Sequence, residues 1–362
     1  MVIPTSGRVT YAERLLESLH SELEFLDEPT EVIVVDSSKP KESQALSQVC
    51  KKLGYKFHHI KRGISRARNY GIEAAKFLIV LFIDSDCMVF PGLLREHILS
   101  YTDEDIGGVL GLTKFMGHKN WVWKIVERTP FLIPFSFARR MDCAPWGPCT
   151  NISFRKEVLL EVEGFRTDFP FDFSGEDVDL GLRISKRGYK ITCNPKAIAY
   201  HSRETWSSLT VLLKKIFRWG RTGFHILTQH SYLSTTDFPK FISVSLLIVA
   251  LAILYGLFGL RWKMIMLPIL WSLCVPAIDA VLRSSSSKTD ISDFVFNYFS
   301  FWLVFVYEFG LVYESMKNHS FEMLYKRHLY GAGQLLFEWR HRLIQNWSFI
   351  ISLIVLVVFA LI

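Results

Sequence analysis

The fold of this chain is decided by an apolar run that ends in two acids, Leu78-Ile79-Val80-Leu81-Phe82-Ile83-Asp84-Ser85-Asp86. Such a run predicts a parallel strand that is buried on both faces. Open α/β sheets bind their ligands outside the carboxyl ends of the strands, where Asp84 and Asp86 would lie. Two carboxylates this close repel each other unless a cation or hydrogen-bond donors lie between them. A simple polar turn is the alternative interpretation.

Composition separates the chain into two regions. Half of the 362 residues are hydrophobic, only 21% are charged, and the mean hydropathy is +0.21, which is apolar for a soluble enzyme. Short apolar runs alternate with polar helical stretches up to about residue 240, and long apolar runs follow. The net charge of +7 is expected to face anionic lipid rather than nucleic acid, because basic residues cluster beside the apolar runs. The six cysteines lack metal-binding spacing, which favours a reduced, cytoplasmic location.

A strand, a helix and a second strand precede the acidic run. Val2-Ile3-Pro4-Thr5 reads as a first strand, and residues 11–26 have the leucine spacing of an amphipathic helix. Residues 31–38 predict a second buried strand that ends at Asp36. This order is half of a nucleotide-binding βαβ unit, in which Asp36 would accept a hydrogen bond from a base or a ribose. A turn cap is the alternative role for Asp36.

An anion-binding helix start is predicted between Lys61 and Ala75. Ser65 is a good N-cap, and the first helical turn would offer free N–H groups beside Arg66 and Arg68. Such a site suits the diphosphate of a nucleotide. Solvated arginines on a surface helix are the alternative.

Several motifs, in this order, resemble the family 2 glycosyltransferases with the GT-A fold. They are Val2-Ile3-Pro4-Thr5, Val34-Val35-Asp36, Gly63 to Gly71, Asp84-Ser85-Asp86, Asn151-Ile152-Ser153-Phe154-Arg155, Gly164-Phe165, and Gly175-Glu176-Asp177-Val178-Asp179-Leu180 with Arg183. The resemblance covers residues 1 to 201. It implies an α/β, Rossmann-like GT-A domain over residues 1–202 that binds a nucleotide-diphosphate sugar.

The resemblance also implies which residues form the site. The donor would be contacted by Pro4, Thr5, Asp36, Arg68, Asp84, Ser85, Asp86, Asn151 and Glu176. A Mn²⁺ or Mg²⁺ ion, which prefers hard oxygen ligands, would be bound by Asp84, Asp86 and His201. The ion would stabilise the departing diphosphate. His201 follows a predicted strand, so a structural role is its alternative.

Asp177 is the candidate catalytic base. An acceptor hydroxyl must lose a proton to a group on the side of the sugar opposite the leaving group. Gly175 allows a tight turn, after which Glu176 and Asp177 begin a helix whose dipole stabilises carboxylates. Stabilisation of the helix alone is the alternative reason for these acids.

Two regions outside these motifs combine apolar and basic residues. Residues 203–240 predict amphipathic helices beside a membrane, in which Arg218 and Arg221 are further candidates for contacting the donor diphosphate. Phe217-Arg218-Trp219 lacks the glutamine of the Gln-x-x-Arg-Trp motif of processive family members, which argues against processive polymer synthesis. Residues 115–146 interleave aromatic and basic side chains, typical either of a segment at the lipid headgroups or of a packed insertion.

Residues 241–362 predict a transmembrane domain with three or four spans. Its hydrophobic segments are residues 241–260, 262–282, 294–316 and 347–362. Asp279, Glu308 and Glu314 fall in or near these segments and are expected to face a protein interior. Basic residues between 317 and 345 should stay in the cytoplasm, so one segment is expected not to cross.

Together these features predict an integral membrane protein with a cytoplasmic catalytic domain that acts in polysaccharide or glycolipid synthesis. The predicted reaction is an inverting, metal-dependent hexosyl transfer from a nucleotide-diphosphate sugar to a hydroxyl of a lipid-linked saccharide or glycolipid. A polyprenyl-phosphate sugar synthase, similar to the dolichyl-phosphate enzymes, is one alternative, because a phosphate acceptor needs no base. A catalytically inactive membrane scaffold is the other.

Overall fold

The computed structural model describes residues 1–24, 26–168, 174–236, 240–257, 263–284, 290–328 and 336–361. The chain divides into two compact units, of which the first comprises Met1–His118 and Leu132–Ser207. The second unit comprises Lys119–Phe131 and Ser208–Ile362. Sequence analysis places the boundary at residue 202, whereas the structure divides at Ser207 and assigns the short segment Lys119–Phe131 to the second unit.

The strands of the described residues are β1 (Val2–Thr5), β2 (Ile33–Asp36), β3 (Lys56–His59), β4 (Ile79–Phe82), β5 (Cys87–Val89), β6 (Ile106–Met116), β7 (Ile152–Arg155), β8 (Lys190–Ser202), β9 (Ser234–Thr236) and β10 (Lys326–His328). The α-helices are α1 (Val9–Leu23), α2 (Pro40–Leu53), α3 (Ile64–Ala74), α4 (Leu93–Leu99), α5 (Trp121–Val126), α6 (Phe137–Arg140), α7 (Lys156–Glu161), α8 (Glu176–Lys186), α9 (Leu209–Gln229), α10 (Phe241–Leu257), α11 (Lys263–Ser284), α12 (Ile291–Lys317) and α13 (Leu336–Leu361).

One mixed sheet organises the first unit. Its described strands follow the order β3-β2-β1-β4-β7-β6-β8-β5. Strands β3, β2, β1 and β4 run parallel, whereas β7 is antiparallel to both β4 and β6. The three apolar runs singled out in the sequence form β1, β2 and β4, so the carboxyl ends of these strands meet at one edge. The predicted α/β, Rossmann-like class is confirmed.

The core of the first unit explains why these segments form a sheet with helices on it. Leu15, Leu16 and Leu19, on one face of α1, are fully buried against Ile3 and Val34 of the sheet. Each such leucine contributes roughly 1.5–3 kcal/mol by leaving water. Helix α3 approaches β1 so closely that a Cβ at Gly71 would lie 2.3 Å from Val2 Cγ1. The glycine therefore fixes the position of α3 beside the strand ends.

Some motif residues hold the fold rather than face the sheet edge. The Asn69 side chain bonds the backbone of Phe165 twice: Nδ2 donates to the carbonyl at 2.7 Å, and Oδ1 accepts from the amide at 2.8 Å. Gly164 has a φ of +63°, which favours glycine. Arg183 donates to Asp179 at 2.8 Å and to the Gly164 carbonyl at 2.7 Å. These bonds secure α8 against the preceding turn.

Long apolar helices dominate the second unit. Among its described residues, Met266–Ser284 and Ile291–Lys317 are long and apolar enough to cross a membrane, and Phe241–Tyr255 and Leu343–Phe359 are shorter apolar helices. The four predicted hydrophobic segments thus fall on helices α10 to α13. Of those segments, residues 258–260, 262 and 362 lie outside the described residues.

Helices α9 and α12 cross in close contact within the second unit. A Cβ at Gly220 would lie 2.0 Å from the Tyr307 carbonyl oxygen, and one at Gly310 would lie 2.3 Å from the Phe217 carbonyl oxygen. Small residues allow two helix backbones to approach in this way. Helix α9 therefore packs on α12 through its glycines.

The aromatic residues of segment 115–146 are mostly packed inside the units. Phe131 packs in tilted ring contacts with Trp219 and Tyr307 in the second unit, at centroid distances of 5.8 and 5.7 Å. In the first unit, Phe137 is fully buried against Trp146. The structure therefore favours the packed insertion over a segment lying at the lipid headgroups.

Candidate active site

Arg68 joins the two acidic motifs at the carboxyl edge of the sheet. Its Nη2 donates to Asp84 Oδ1 at 3.0 Å, and its Nη1 donates to Glu176 Oε1 at 2.6 Å. Arg68 projects from α3, Asp84 follows β4 and Glu176 begins α8, so three elements converge on one guanidinium. Arg68 is buried, and charge-assisted bonds of this kind are stronger than neutral ones.

The charges of this cluster shift the protonation of its members. Burial by itself lowers the pKa of the Arg68 guanidinium, but the nearby carboxylates of Glu176 and Asp84 raise it above its usual value. Arg68 therefore stays charged. Burial and the negative charge of Glu176 raise the pKa of Asp177 to about 7. A carboxyl with this pKa is matched to proton transfer near neutral pH.

Several polar atoms around this cluster have no hydrogen-bond partner among the described residues. They are Thr5 Oγ1, Arg68 Nε, Ser174 Oγ and Glu176 Oε2, all buried. Buried polar atoms are nearly always hydrogen-bonded in folded proteins, so such orphans require an explanation. Their grouping at the strand ends indicates a place for a polar ligand.

A second cluster forms around Asp86 because of strand pairing. Strand β5 pairs antiparallel with the end of β8, and the register sets Cys87 opposite His201. The His201 Nε2 atom consequently lies 3.4 Å from Asp86 Oδ1. Arg8 Nη1 lies 2.5 Å from the other carboxylate oxygen of Asp86. Asp86 is buried, and its charge is balanced by these neighbours.

The hydrogen bonding of His201 suits a metal ligand. Its Nδ1 lies 3.0 Å from the Ser202 carbonyl oxygen, which can only accept, so the proton belongs on Nδ1. Nε2, 3.4 Å from Asp86 Oδ1, could then coordinate an ion held by Asp86, as in metal-binding histidines whose other nitrogen is held by a carbonyl. Two ligand atoms 3.4 Å apart are compatible with one ion at about 2.1 Å from each.

The residues at this cluster fit a hard divalent ion through oxygen and nitrogen. Ligand atoms of Asp86, Cys87 and His201 lie within 4.8 Å of one another. Burial and the nearby Asp86 raise the pKa of the Cys87 thiol well above its usual value, and its Sγ faces the Thr150 carbonyl oxygen at 3.8 Å. A hard divalent ion prefers the oxygen of Asp86 and the nitrogen of His201 to the sulfur of Cys87. Asp84 Oδ1 is bound by Arg68, and a metal contact by Asp84 stays a prediction.

Aromatic rings enclose His201 within the first unit. Phe115, Phe135 and Trp206 lie 5.4, 6.2 and 6.2 Å from the imidazole, measured between ring centroids. The rings restrict the rotation of the imidazole. They also shield the Asp86 cluster from water, which strengthens its electrostatic interactions.

Asp36 lies at the end of β2, as predicted, and is fully buried. It accepts hydrogen bonds from the Ser38 backbone at 3.1 Å and the Ser38 hydroxyl at 2.5 Å. His59 Nδ1 lies 3.1 Å from its second oxygen. The role of Asp36 in binding a base or ribose stays a prediction.

The other predicted donor contacts occupy different environments. Pro4 and Thr5 end β1 beside Asp36, and Ser85 is buried between the two acids. Asn151 is fully buried and bridges strands, because its Nδ2 donates to the carbonyls of Leu112 and Ala197 at 3.2 and 2.9 Å. A donor contact by Asn151 would require it to exchange one of these bonds.

A neutral histidine completes the Asn151 network. Burial lowers the pKa of His97 to about 4, so its ring is uncharged. His97 Nε2 lies 2.8 Å from Asn151 Oδ1 and donates to it, while Nδ1 accepts from Ser153 Oγ at 2.9 Å. The network holds the middle of the sheet together.

The two arginines predicted after the first domain lie in the second unit. Arg218 and Arg221 project from α9, and Arg221 Nε donates to Glu314 Oε2 of α12 at 2.6 Å. Their contact with a donor stays a prediction.

Sequence reasoning missed Arg8 and the importance of Arg68 as a bridge between motifs. Arg8 lies in the turn between β1 and α1, and a basic residue just after a buried parallel strand is a signal that could have identified it. The pairing of Arg68 with Glu176 spans 108 residues, and no local pattern records such a contact.

Acids and arginines meet at the carboxyl edge of the sheet, where open α/β folds bind their ligands. Residues 1–161 match the family model described as glycosyl transferase family 2. Residues 1–161 thus match a family 2 glycosyltransferase domain, in agreement with the GT-A fold that the motifs imply.

Two similar proteins and one solved structure extend the comparison. The chain is 24% identical over 260 residues to poly-beta-1,6-N-acetyl-D-glucosamine synthase of Staphylococcus aureus, covering 67% of this chain and 61% of that protein. It is 26% identical over 153 residues to the O-antigen biosynthesis protein RfbC of Myxococcus xanthus, covering 37% of this chain and 12% of the relative. The crystal structure of S. aureus TarS aligns at 20% identity and a TM-score of 0.43, covering 63% of this chain and 42% of TarS. The chain thus spans about three fifths of the length of the first of these relatives.

Proposed function

We propose that this protein is an inverting glycosyltransferase that moves a sugar from a nucleotide-diphosphate sugar to a hydroxyl of a lipid-linked saccharide or glycolipid. The observation that carries the proposal is the Arg68 bridge. One buried guanidinium binds Asp84 at the end of β4 and Glu176 at the start of α8, next to Asp177. The bridge joins two acids assigned to the donor, and one of them, Glu176, directly precedes Asp177, the acid assigned to the acceptor.

Asp177 serves as the base in this proposal. With a pKa of about 7, a substantial fraction of Asp177 is ionised at neutral pH and can take a proton from an attacking hydroxyl. Glu176 keeps the pKa high by its negative charge, and the Val178 amide orients the Asp177 carboxylate through a 2.9 Å bond. Deprotonation of the hydroxyl by Asp177 accompanies its attack on the anomeric carbon, and the nucleoside diphosphate leaves from the opposite face.

Asp86 and His201 would hold the divalent ion. Bound there, Mn²⁺ or Mg²⁺ supplies positive charge that stabilises the departing diphosphate. Asp86 presents a hard oxygen ligand, and His201 holds its Nε2 lone pair in place through the Ser202 carbonyl. Asp84, held by Arg68, would face the ribose or a water bound to the ion.

The membrane setting of the proposal rests on the second unit. Two of its described helices have the length and composition of membrane spans, and α9 carries basic residues on an amphipathic helix. An acceptor with a lipid anchor would be concentrated at such a membrane. The catalytic unit is proposed to lie in the cytoplasm, where nucleotide sugars are the available donors.

A donor screen tests the proposal directly. We expect purified protein in detergent to hydrolyse or transfer from one of the UDP-, GDP- and dTDP-sugars in the presence of Mn²⁺. Asp86→Ala should reduce transfer by at least about 10³-fold without changing the far-UV circular dichroism spectrum. If correctly folded protein neither binds nor turns over any nucleotide sugar, the proposal is contradicted and an inactive scaffold is favoured.

Asp177→Asn separates the hydroxyl acceptor from a phosphate acceptor. A hydroxyl must be deprotonated, so the amide should lower transfer by at least about 10²–10⁴-fold while donor hydrolysis and donor binding persist. A polyprenyl phosphate is already ionised, and retained transfer to it by Asp177→Asn would favour a polyprenyl-phosphate sugar synthase. The matched control is Asp105→Asn, an acid on the surface of the same unit, paired with Lys190.

A further inference from the structure

Arg8 makes a contact that the proposed reaction does not use. It precedes α1 and binds Asp86 Oδ2 through Nη1 at 2.5 Å. The Arg8 side chain is 48% exposed, whereas that of Asp86 is only 5% exposed. The ion pair therefore joins a half-exposed arginine at the surface to a buried carboxylate.

Asp86 needs a positive neighbour whenever no metal ion is bound. A buried carboxylate without a compensating charge is strongly destabilising. His201 Nε2 lies 3.4 Å from the other oxygen of Asp86. The guanidinium of Arg8 places a permanent positive charge 2.5 Å from Asp86 Oδ2.

A divalent ion and Arg8 would act on the same carboxylate. An ion between Asp86 Oδ1 and His201 Nε2 would be separated from the Arg8 guanidinium by little more than the carboxylate group, and two cations so close repel each other. Because Arg8 is half-exposed, its side chain has a path into solvent, which the buried Arg68 lacks.

We propose that Arg8 is an exchangeable counter-cation of the metal site: it neutralises Asp86 in the metal-free protein and moves to the diphosphate of the donor when the ion and donor bind. The inference rests on the proposed function, since it assumes that Asp86 and His201 bind the ion. In this scheme Arg8 competes with the metal for Asp86 and then strengthens binding of the nucleoside diphosphate.

Binding of Mn²⁺ alone tests the competition without measuring catalysis. Free Mn²⁺ is followed by electron paramagnetic resonance during titration of the full chain in detergent. We expect Arg8→Gln to bind Mn²⁺ about tenfold more tightly than the wild type, because its competing charge is removed. Arg14→Gln removes an exposed arginine from α1, the helix that Arg8 precedes, and should bind Mn²⁺ like the wild type. Equal or weaker Mn²⁺ binding by Arg8→Gln would overturn the inference.

Two further measurements complete the test. Without metal, Arg8→Gln should unfold at a lower temperature than Arg14→Gln, and saturating Mn²⁺ should raise its unfolding temperature more than that of the wild type. At saturating Mn²⁺, Arg8→Gln should bind UDP, GDP or dTDP, whichever the wild type prefers, about five- to tenfold more weakly. If Arg8→Gln binds the nucleoside diphosphate as tightly as the wild type does, the proposed movement of the Arg8 side chain to the donor diphosphate is wrong.

Asp86→Asn separates failure of the inference from failure of the proposed function. If Asp86→Asn binds Mn²⁺ as well as the wild type does, the proposed metal site is wrong, and the inference is overturned with it. If Asp86→Asn loses Mn²⁺ binding while Arg8→Gln binds like Arg14→Gln, the metal site stands and only the role of Arg8 is wrong.

Discussion

The two units each contain an arginine–glutamate pair with the same closest distance, 2.6 Å, but Arg68 is buried whereas Arg221 is partly exposed, and the pairs differ in what they leave unsatisfied. In the first unit, Glu176 Oε2 and Arg68 Nε have no hydrogen-bond partner among the described residues. In the second unit, one oxygen of Glu314 accepts from Arg221, and His225 Nε2 lies 3.3 Å from the other. The first pair leaves capacity for a ligand, whereas the second joins helices α9 and α12.

The comparison shows that an ion pair is not by itself a sign of function. Arg221 resembles a diphosphate-binding arginine in sequence, but its observed bond is with a neighbouring helix. Arg68 binds two carboxylates from different motifs at the strand ends. Between these two pairs, the buried atoms without a partner among the described residues belong to the Arg68–Glu176 pair, and buried polar atoms are nearly always hydrogen-bonded.

Removing each arginine is the strongest test of this comparison. Arg68→Met should lower the free energy of unfolding by about 3–5 kcal/mol, because it leaves Glu176 buried without its cation. Arg221→Met should cost less, about 1–3 kcal/mol, because His225 still lies beside Glu314. Urea denaturation in detergent measures both variants. Equal losses would contradict the claim that the second pair is the better satisfied.

Glu176→Gln tests the influence of the first pair on the base. Because the negative charge of Glu176 contributes to the raised pKa of Asp177, removing it should lower that pKa. The acid limb of the transfer rate, expected near pH 7 in the wild type, should then move about one unit toward lower pH. The pH dependence of kcat is the measurement, and Glu314→Gln serves as the control because it should leave the limb in place. If the acid limb of the transfer rate does not move in Glu176→Gln, the claim that Glu176 raises the pKa of Asp177 is wrong.

The smallest expected effect is that of Asp177→Asn on the free energy of unfolding. The folded state raises the pKa of Asp177 from 3.8 to about 7, so the native protein binds the proton more tightly and the contribution of Asp177 becomes unfavourable as pH rises through this window. The variant lacks this penalty. It should be more stable than the wild type by about 1 kcal/mol at pH 8, a value reduced by the partial exposure of the residue, and equal to it near pH 4. A stability difference that does not depend on pH would contradict the raised pKa.

Sequence analysis predicted the strands well because their signal is local. The apolar runs ending at Thr5, Asp36 and Asp84 became β1, β2 and β4, since a strand buried on both faces needs consecutive apolar residues. The same reasoning identified the acids at the strand ends. It predicted a nucleotide-binding sheet edge before any contact between motifs was known.

Local patterns could not assign partners within the site. Asn151 and Arg68 both belong to motifs, but one bridges strands inside the sheet and the other joins two acids at its edge. His201 reaches Asp86 only because β5 pairs with the end of β8. Arg8 belongs to none of the motifs used to predict the site residues, yet it forms an ion pair with the carboxylate of Asp86.

The acidic run at residues 78–86 thus determined, by itself, a buried strand with two carboxylates at its exit. The tertiary structure decided that these carboxylates have different partners: Arg68 binds Asp84, while Arg8 and His201 lie beside Asp86. The physical reason is one of range. Burial of apolar side chains is recorded in neighbouring residues, whereas the charge around a carboxylate depends on strand order and register, which bring together residues distant in the chain.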